Sequence, residues 1–291
     1  NSFLRLSSLL SLLSLAFPLP SSFSAPAEKE LSVSFLDVGQ GDSIVIRTPA
    51  GRTIVIDGGQ GATAKSRFDA GQEVLIPFLE EAGVKKIDMV VATHPDFDHL
   101  GGLVSLLRSD IPVGAVFDCG LPHTSQAYEN FLKLIKEKKI PFSVPKKGEL
   151  LDWGPGLRAQ VLAPQLPLEK RLDRDLNESS IVIRLEYGRV SFLLTGDAET
   201  ATEDEVLCSG ARVRSTVLKA AHHGSRTASS PAFVYAVSPE VVVISAGKRN
   251  KFDHPHWETI KLFREIRARI LQTDQQGTIT ITTDGEIYEI Q

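Results

Sequence analysis

The stretch Thr93-His94-Pro95-Asp96-Phe97-Asp98-His99-Leu100-Gly101-Gly102 decides how the rest of the chain is read. It follows an apolar run, Ile87 to Ala92, that has the pattern of a buried strand, and it precedes Leu103 to Leu107, which reads as the first turns of a helix. The stretch is therefore a strand-to-helix loop. His94, Asp96, Asp98 and His99 can each donate a lone pair to a metal. Ordinary turn chemistry uses an Asp-Pro or Asp-His pair and gives no reason to crowd two imidazoles and two carboxylates together. The expectation is a metal-binding loop.

The 291 residues are 42% hydrophobic and 23% charged, the composition of a globular protein. No repeat or long low-complexity tract divides them, so one large domain after a leader is the simplest organisation. A net charge of −4 argues against bulk-charge binding to a polyanion, which leaves any nucleic-acid contact local. The two cysteines, Cys119 and Cys208, are expected as small buried residues rather than metal ligands, with pairing left open outside the cytoplasm.

Residues 1–30 differ from the rest. Phe3 to Leu19 is rich in Leu and Ser with one basic residue, Arg5, and leads into a Pro- and Ser-rich linker. The run fits a signal-peptide core or the remnant of a membrane helix better than a full span, which needs about 20 apolar residues. Either reading delivers the domain outside the cytoplasm, secreted, periplasmic or membrane-tethered. A disordered tail is the plain alternative.

From residue 31 the chain reads as strands followed by an α/β stretch, and the pattern then recurs in the second half without repeating the sequence. Two such halves imply two sheets face to face with helices outside. Asp57, the 94–99 loop, Asp197, His222 with His223, and His254 each follow an apolar strand-like run. Loops at strand ends are where a rigid scaffold presents functional groups. Taken singly, Asp57-Gly58-Gly59 and Gly196-Asp197 are ordinary turns, and Lys248, Arg249, Lys251 and Arg226 are solvated charges. Beside a metal loop, the carboxylates become candidate ligands and the cations can hold phosphate. The donors offered are imidazole and carboxylate without thiolate, which suits Zn²⁺, Mn²⁺ or iron over Cu(I). Five or more ligands exceed one tetrahedral zinc and point to two divalent cations that share a carboxylate and one hydroxide, a hydrolase site.

These residues carry a resemblance. Asp57 after a strand, His-x-Asp-x-Asp-His at 94–99, Thr195-Gly196-Asp197 and a late strand-end histidine resemble the metallo-β-lactamase fold, a four-layer αββα sandwich of mixed α/β class. More narrowly, Leu36-Asp37-Val38-Gly39-Gln40-Gly41-Asp42, Asn177-Glu178-Ser179-Ser180, Leu194-Thr195-Gly196-Asp197-Ala198-Glu199, His222-His223-Gly224-Ser225 and His254-Pro255-His256 resemble the carboxy-terminal hydrolase domain of ComEC competence proteins, over about residues 31–290.

The resemblance implies that His94 and Asp96 serve one metal, that Asp98 and His99 serve the other, and that Asp197 bridges them. It implies His254 as the last ligand and places His222 or His223 beside the scissile phosphate; the converse, one of that pair ligating with His254 outside, stays open. Asp57 is implied as a carboxylate that orients the loop. The chain has Asp96 where most members of the wider fold have His, and Asn177 stands near the place of a missing histidine. ComEC-like members share both departures, and the poorer imidazole content suits manganese as well as zinc.

The expected activity is that of an extracytoplasmic phosphodiesterase, a nuclease acting on DNA, single-stranded for preference, during uptake. A phosphodiesterase for a cell-wall or lipid head group, similar to phosphorylcholine esterases, is the rival enzyme. A non-catalytic metal-bound module of a DNA translocator is the rival from another class. No protein partner is expected, and membrane attachment would come through the N-terminal segment.

Overall fold

The computed structural model describes residues 30–64, 66–165, 172–173 and 175–291. All but Glu30 of the expected leader lies outside them. Among the described residues no helix is long and apolar enough to cross a membrane.

The first sheet contains β1 (Leu31–Phe35), β2 (Ile44–Arg47), β3 (Thr53–Ile56), β4 (Met89–Ala92), β5 (Val116–Asp118) and β6 (Phe142–Ser143), joined by β14 (Ile279–Thr283) and β15 (Tyr288–Ile290) from the end of the chain. Its order is β15-β14-β1-β2-β3-β4-β5-β6. The second sheet runs β13-β12-β11-β10-β9-β8-β7. Its strands are β7 (Leu150–Leu151), β8 (Leu157–Ala163), β9 (Val182–Tyr187), β10 (Val190–Leu194), β11 (Val217–Lys219), β12 (Val241–Ile244) and β13 (Arg269–Gln272).

Period-two alternation builds four layers from these apolar runs. Ile44, Ile46, Ile54 and Ile56 point between the sheets and meet Ile183, Leu185, Phe192 and Val243 of the second sheet. Val45 and Val55 point the other way, under α1 (Ile76–Glu81), α2 (Phe97–Arg108) and α3 (Gln126–Glu137). On the second sheet Leu193, Leu218, Val242 and Ile244 face outward under α4 (Thr200–Cys208), α5 (Pro231–Val237) and α6 (Trp257–Glu265). The short α7 (Thr273–Gln276) connects β13 to the final hairpin. This is the expected αββα sandwich.

The His/Asp stretch is only partly the expected loop. Helix α2 begins at Phe97 rather than near Leu103, with Asp96 in extended conformation at its N-cap and Asp98 and His99 in its first turn. Gly101-Gly102 disfavour a helix by propensity. Tertiary packing overrides this, because a Cβ on Gly102 would lie 1.9 Å from the Gly58 carbonyl oxygen, and one on Gly101 would lie 2.2 Å from the Gly61 nitrogen. The bare backbone lets α2 dock on the loop after β3, with Gly58 N donating to His99 O at 2.7 Å and Gly102 N to Gly59 O at 2.8 Å. Gly102→Ala, which adds helix propensity, is therefore expected to destabilise by about 3 kcal/mol through overpacking. A lower urea midpoint at constant slope is the readout.

Helix α5 is absent from the sequence reading, although Ser230-Pro231 supply an N-cap and a proline at its first position, with Ser230 Oγ accepting from Phe233 N at 3.3 Å. Cys119 is buried as expected, Cys208 is exposed, and no disulfide joins them.

Candidate metal centre

Strands β3 and β4 run parallel, as do β10, β11 and β12, so the loops leaving their C-terminal ends gather on one edge of the sandwich. Asp57 lies directly after β3 and is almost fully buried. One of its oxygens accepts from Thr93 N at 2.8 Å; the other accepts from Thr93 Oγ1 at 2.6 Å and faces His99 Nδ1 at 2.8 Å. A carboxylate on Nδ1 fixes the proton there and turns Nε2 outward as a lone-pair donor. The same device holds His223, whose Nδ1 lies 3.0 Å from Ser245 O. His94 is completely buried with Nδ1 3.0 Å from Thr93 Oγ1.

The outward nitrogens converge. Asp197 Oδ2 lies 3.2 Å from both His99 Nε2 and His223 Nε2, without the alignment a hydrogen bond needs. Asp98 Oδ2 lies 3.4 Å from His223 Nε2, and Asp96 Oδ2 lies 3.5 Å from His94 Nε2. The rings of His94 and His99 are 4.2 Å apart and those of His99 and His223 are 5.3 Å apart. Asp42, His99, Asp197 and His223 each offer a ligand atom within 4.8 Å of one another.

Two members of this constellation were missed in the sequence. Asp42 follows the Gly39–Gly41 turn and sits buried 3.5 Å from His223 Nδ1. Lys219 ends β11 on the face that Val217 turns to the inter-sheet core, fully buried. Its ammonium pairs with Asp42, donates to Gly196 O at 3.1 Å and lies 3.7 Å from Asp197 Oδ1. A lysine within the apolar run 217–221 is the one signal the sequence offers.

The rim holds the rest. His222 is half-buried, its Nδ1 2.7 Å from Glu199 Oε1 and 3.5 Å from Asn177 Nδ2. Asn177 thus stands beside His222 rather than in the cluster. The His254 ring lies 5.2 Å from that of His222 and 6.1 Å from that of His223, outside the four-residue group, with Gln40 Nε2 3.5 Å from its Nδ1. His222 and His223 are adjacent in sequence yet separated in role, because both take left-handed backbone conformations, at φ 47° and 54°. The turn sends one ring inward and the other to the rim.

These residues fit divalent cations. The Nε2 atoms of His94, His99 and His223 and Oδ1 of Asp197 are buried and make no hydrogen bond. Buried polar atoms in folded proteins are otherwise nearly always paired, so the orphans mark a place for a ligand. Burial opposes charge on His99 and His223, but Asp197 with Asp57 around the first, and Asp197 with Asp42 and Asp98 around the second, outweigh it and raise both imidazoles well above their usual range. Burial likewise opposes ionisation of Asp197, yet His223 and His99 hold it well below the usual carboxylate range. The ion-free cluster therefore keeps protons near neutrality that a cation must displace. Metal uptake at pH 7 is expected to release protons, and apparent affinity is expected to rise with pH. Calorimetry in buffers of different ionisation enthalpy reads the release; none would contradict this electrostatic reading.

The profile of the metallo-beta-lactamase superfamily matches residues 36–248. The chain is 34% identical over 259 residues to ComE operon protein 3 of Bacillus subtilis strain 168, covering 86% of this chain and 33% of the relative. It is 32% identical over 256 residues to Competence protein ComA of Neisseria gonorrhoeae, covering 88% and 33%. The chain thus spans about a third of the length of these relatives. Among solved structures, the metallo-beta-lactamase fold protein YhfI from Bacillus subtilis superposes with a TM-score of 0.56 at 11% identity, over 87% of this chain and all of that one. CmlA, a diiron β-hydroxylase from Streptomyces venezuelae, gives 0.55 at 16% identity, over 88% and 54%. At such identities the structures share the fold alone. The family match over residues 36–248, the ComEC-like relatives and the two-sheet sandwich with its edge cluster agree: the chain belongs to the metallo-beta-lactamase superfamily, whose members are usually metal-dependent hydrolases.

Proposed function

We propose that residues 31–291 form an extracytoplasmic, metal-dependent phosphodiesterase that cleaves DNA, a nuclease acting during uptake. The observation that carries the reading is the set of buried, unpaired imidazole nitrogens and carboxylate oxygens at the sheet edge. Its similarity to competence proteins supports DNA as the substrate. The Leu/Ser-rich composition of residues 1–30 supports export or tethering.

In this proposal His94, Asp96, Asp98, His99, Asp197 and His254 hold two cations, Zn²⁺ or Mn²⁺, and Asp42 and His223 join the set. Such cations supply Lewis acidity and an acidified water where the phosphodiester is attacked. Asp57 and Ser245 O orient His99 and His223 through Nδ1. Glu199, which burial pushes up but its bonds from His222 and Thr227 hold below the usual carboxylate range, stays charged and fixes Nδ1 of His222. That leaves His222 Nε2 at the rim, where it accepts a proton when the ring is neutral and, when the ring is an imidazolium, donates one to a phosphate oxygen or leaving group. Burial and then the charges of His223, His222 and His256 push His254 down to about 4, so its imidazole is neutral and competent to ligate at pH 7.

The test is cleavage of end-labelled single-stranded DNA after chelation, with Zn²⁺ or Mn²⁺ added back, beside Asp98→Ala. Turnover that needs metal and falls at least about tenfold in the variant supports the reading. A folded, metal-loaded chain without turnover on DNA refutes it, and turnover on a phosphocholine ester alone would make the head-group esterase the function.

A further inference from the structure

We propose that Phe252 and Trp257 form a stacking platform for the unpaired bases of a single-stranded polynucleotide beside the metal centre. The inference rests on the phosphodiesterase reading and names the substrate feature this site would grip. Phe252 is 48% exposed and Trp257 68% exposed. Isolated exposed aromatics are ordinary. These two are not isolated, for three reasons.

First, they flank the site. The Phe252 ring stacks on that of His254, 5.6 Å away and inclined by 23°, and Trp257 follows His256, whose ring is 4.9 Å from His254. A third exposed ring, Phe97, sits between Asp96 and Asp98. Second, the segment is braced. Asn250 Nδ2 donates to Gly247 O at 2.9 Å and to His254 O at 2.6 Å, while its Oδ1 accepts from Phe252 N at 3.1 Å and His254 N at 3.0 Å. Gln40 Oε1 accepts from Gly247 N at 3.1 Å, and His256 N donates to Gly224 O at 3.0 Å, so both ends of the segment are tied to the turns that carry Asp42 and His223. A fixed backbone holds the two side chains out from the surface, covered on their faces only by His254 and by lysine stems that can swing aside, which lowers the entropy lost when a base stacks on them.

Third, cations are interleaved with the rings. Lys251 Nζ stands 4.8 Å from the Phe252 centroid and Lys261 Nζ 5.9 Å from that of Trp257. Residues 248–261 carry Lys248, Arg249, Lys251 and Lys261 against Asp253 and Glu258, a local excess of two positive charges on a chain of net charge −4. Rings for bases alternating with cations for phosphates is the arrangement by which single strands are held without sequence preference. A duplex hides its base faces and would gain only the cationic part. A lipid surface would also accept aromatics and lysines, but docking there would cover the opening of the cluster.

The experiment uses the whole chain and two substrates. Phe252→Leu, which keeps an apolar side chain against His254, and Trp257→Ala are each expected to lower kcat/KM for oligothymidylate about tenfold. Hydrolysis of an abasic strand of the same length should stay within about twofold, and Trp257→Phe should restore oligothymidylate turnover. In chelator, oligothymidylate is expected to quench the exposed Trp257, whereas an abasic strand is not; Trp153 is buried and serves as the internal reference. Equal oligothymidylate turnover in wild type and variants, or equal quenching by the abasic strand, overturns the platform. Binding to phosphatidylglycerol vesicles that is lost in the variants, with oligothymidylate turnover intact, overturns it in favour of a membrane. If no phosphodiester is cleaved at all, the phosphodiesterase reading falls, and base-dependent quenching still reads the platform directly.

Discussion

Lys219→Met is expected to destabilise the ion-free chain by about 3–5 kcal/mol, because it leaves a buried carboxylate without its partner. Methionine nearly matches the stem in length, so packing changes little and charge changes most. The ammonium is fully buried; burial alone would lower its pKa, but Asp42 and Asp197 outweigh that and raise it. Asp42 stays below the usual carboxylate range for the matching reason: burial raises it, and Lys219 more than offsets this, helped by His223. Chemical unfolding in chelator measures the loss. Saturating Mn²⁺ should recover part of it, since a bound cation stabilises the folded state and supplies positive charge beside the same oxygens. Asp42→Asn combined with Lys219→Met should lose less than the two single changes together. A loss under about 1 kcal/mol for the single change would mean that the pair is dispensable.

Asp57→Ala acts on both stability and metal. It removes the acceptor of Thr93 N, Thr93 Oγ1 and His99 Nδ1, all buried. About 1–3 kcal/mol of stability should go for donors left unpaired. Freed of the carboxylate, His99 no longer has a fixed ring orientation, and metal affinity is expected to fall about 10- to 100-fold. Competition with a chelating dye reads the affinity, and unfolding in the chelator reads the stability separately. Unchanged affinity would show that Asp57 braces the fold without tuning His99.

Both expectations concern residues that a reading of the chain treats very unequally. Asp57 is visible because it ends an apolar run and precedes two glycines, and the structure finds it holding the loop that starts at Thr93. The His94 to His99 stretch is equally visible, since four donors in six residues have no other common explanation. Lys219 is far less visible, because one lysine in Val217-Leu218-Lys219-Ala220-Ala221 fits a strand end reaching solvent equally well. Its inward direction follows only once Val217 is known to face the second sheet. The start of helix α2 at Phe97 is equally hard to see, because Gly101-Gly102 have poor helix propensity, whereas in the fold they are where two backbones touch.

By itself the sequence determined the strands, the two-faced alternation that makes four layers, the superfamily, and the kinds of donor offered at the strand ends. Those properties are local, written in spacing and residue type. Only the tertiary structure decided which donors meet: that His223 turns inward while His222 turns to Glu199, that Asp42 joins His99 and Asp197, and that Lys219 is buried with them. The reason is distance along the chain. Asp42 and His223 are brought together by strand order and by parallel pairing in two different sheets, and β14 closes the first sheet against β1 from the far end of the sequence. Spacing fixes what a loop can offer, and packing fixes what it faces.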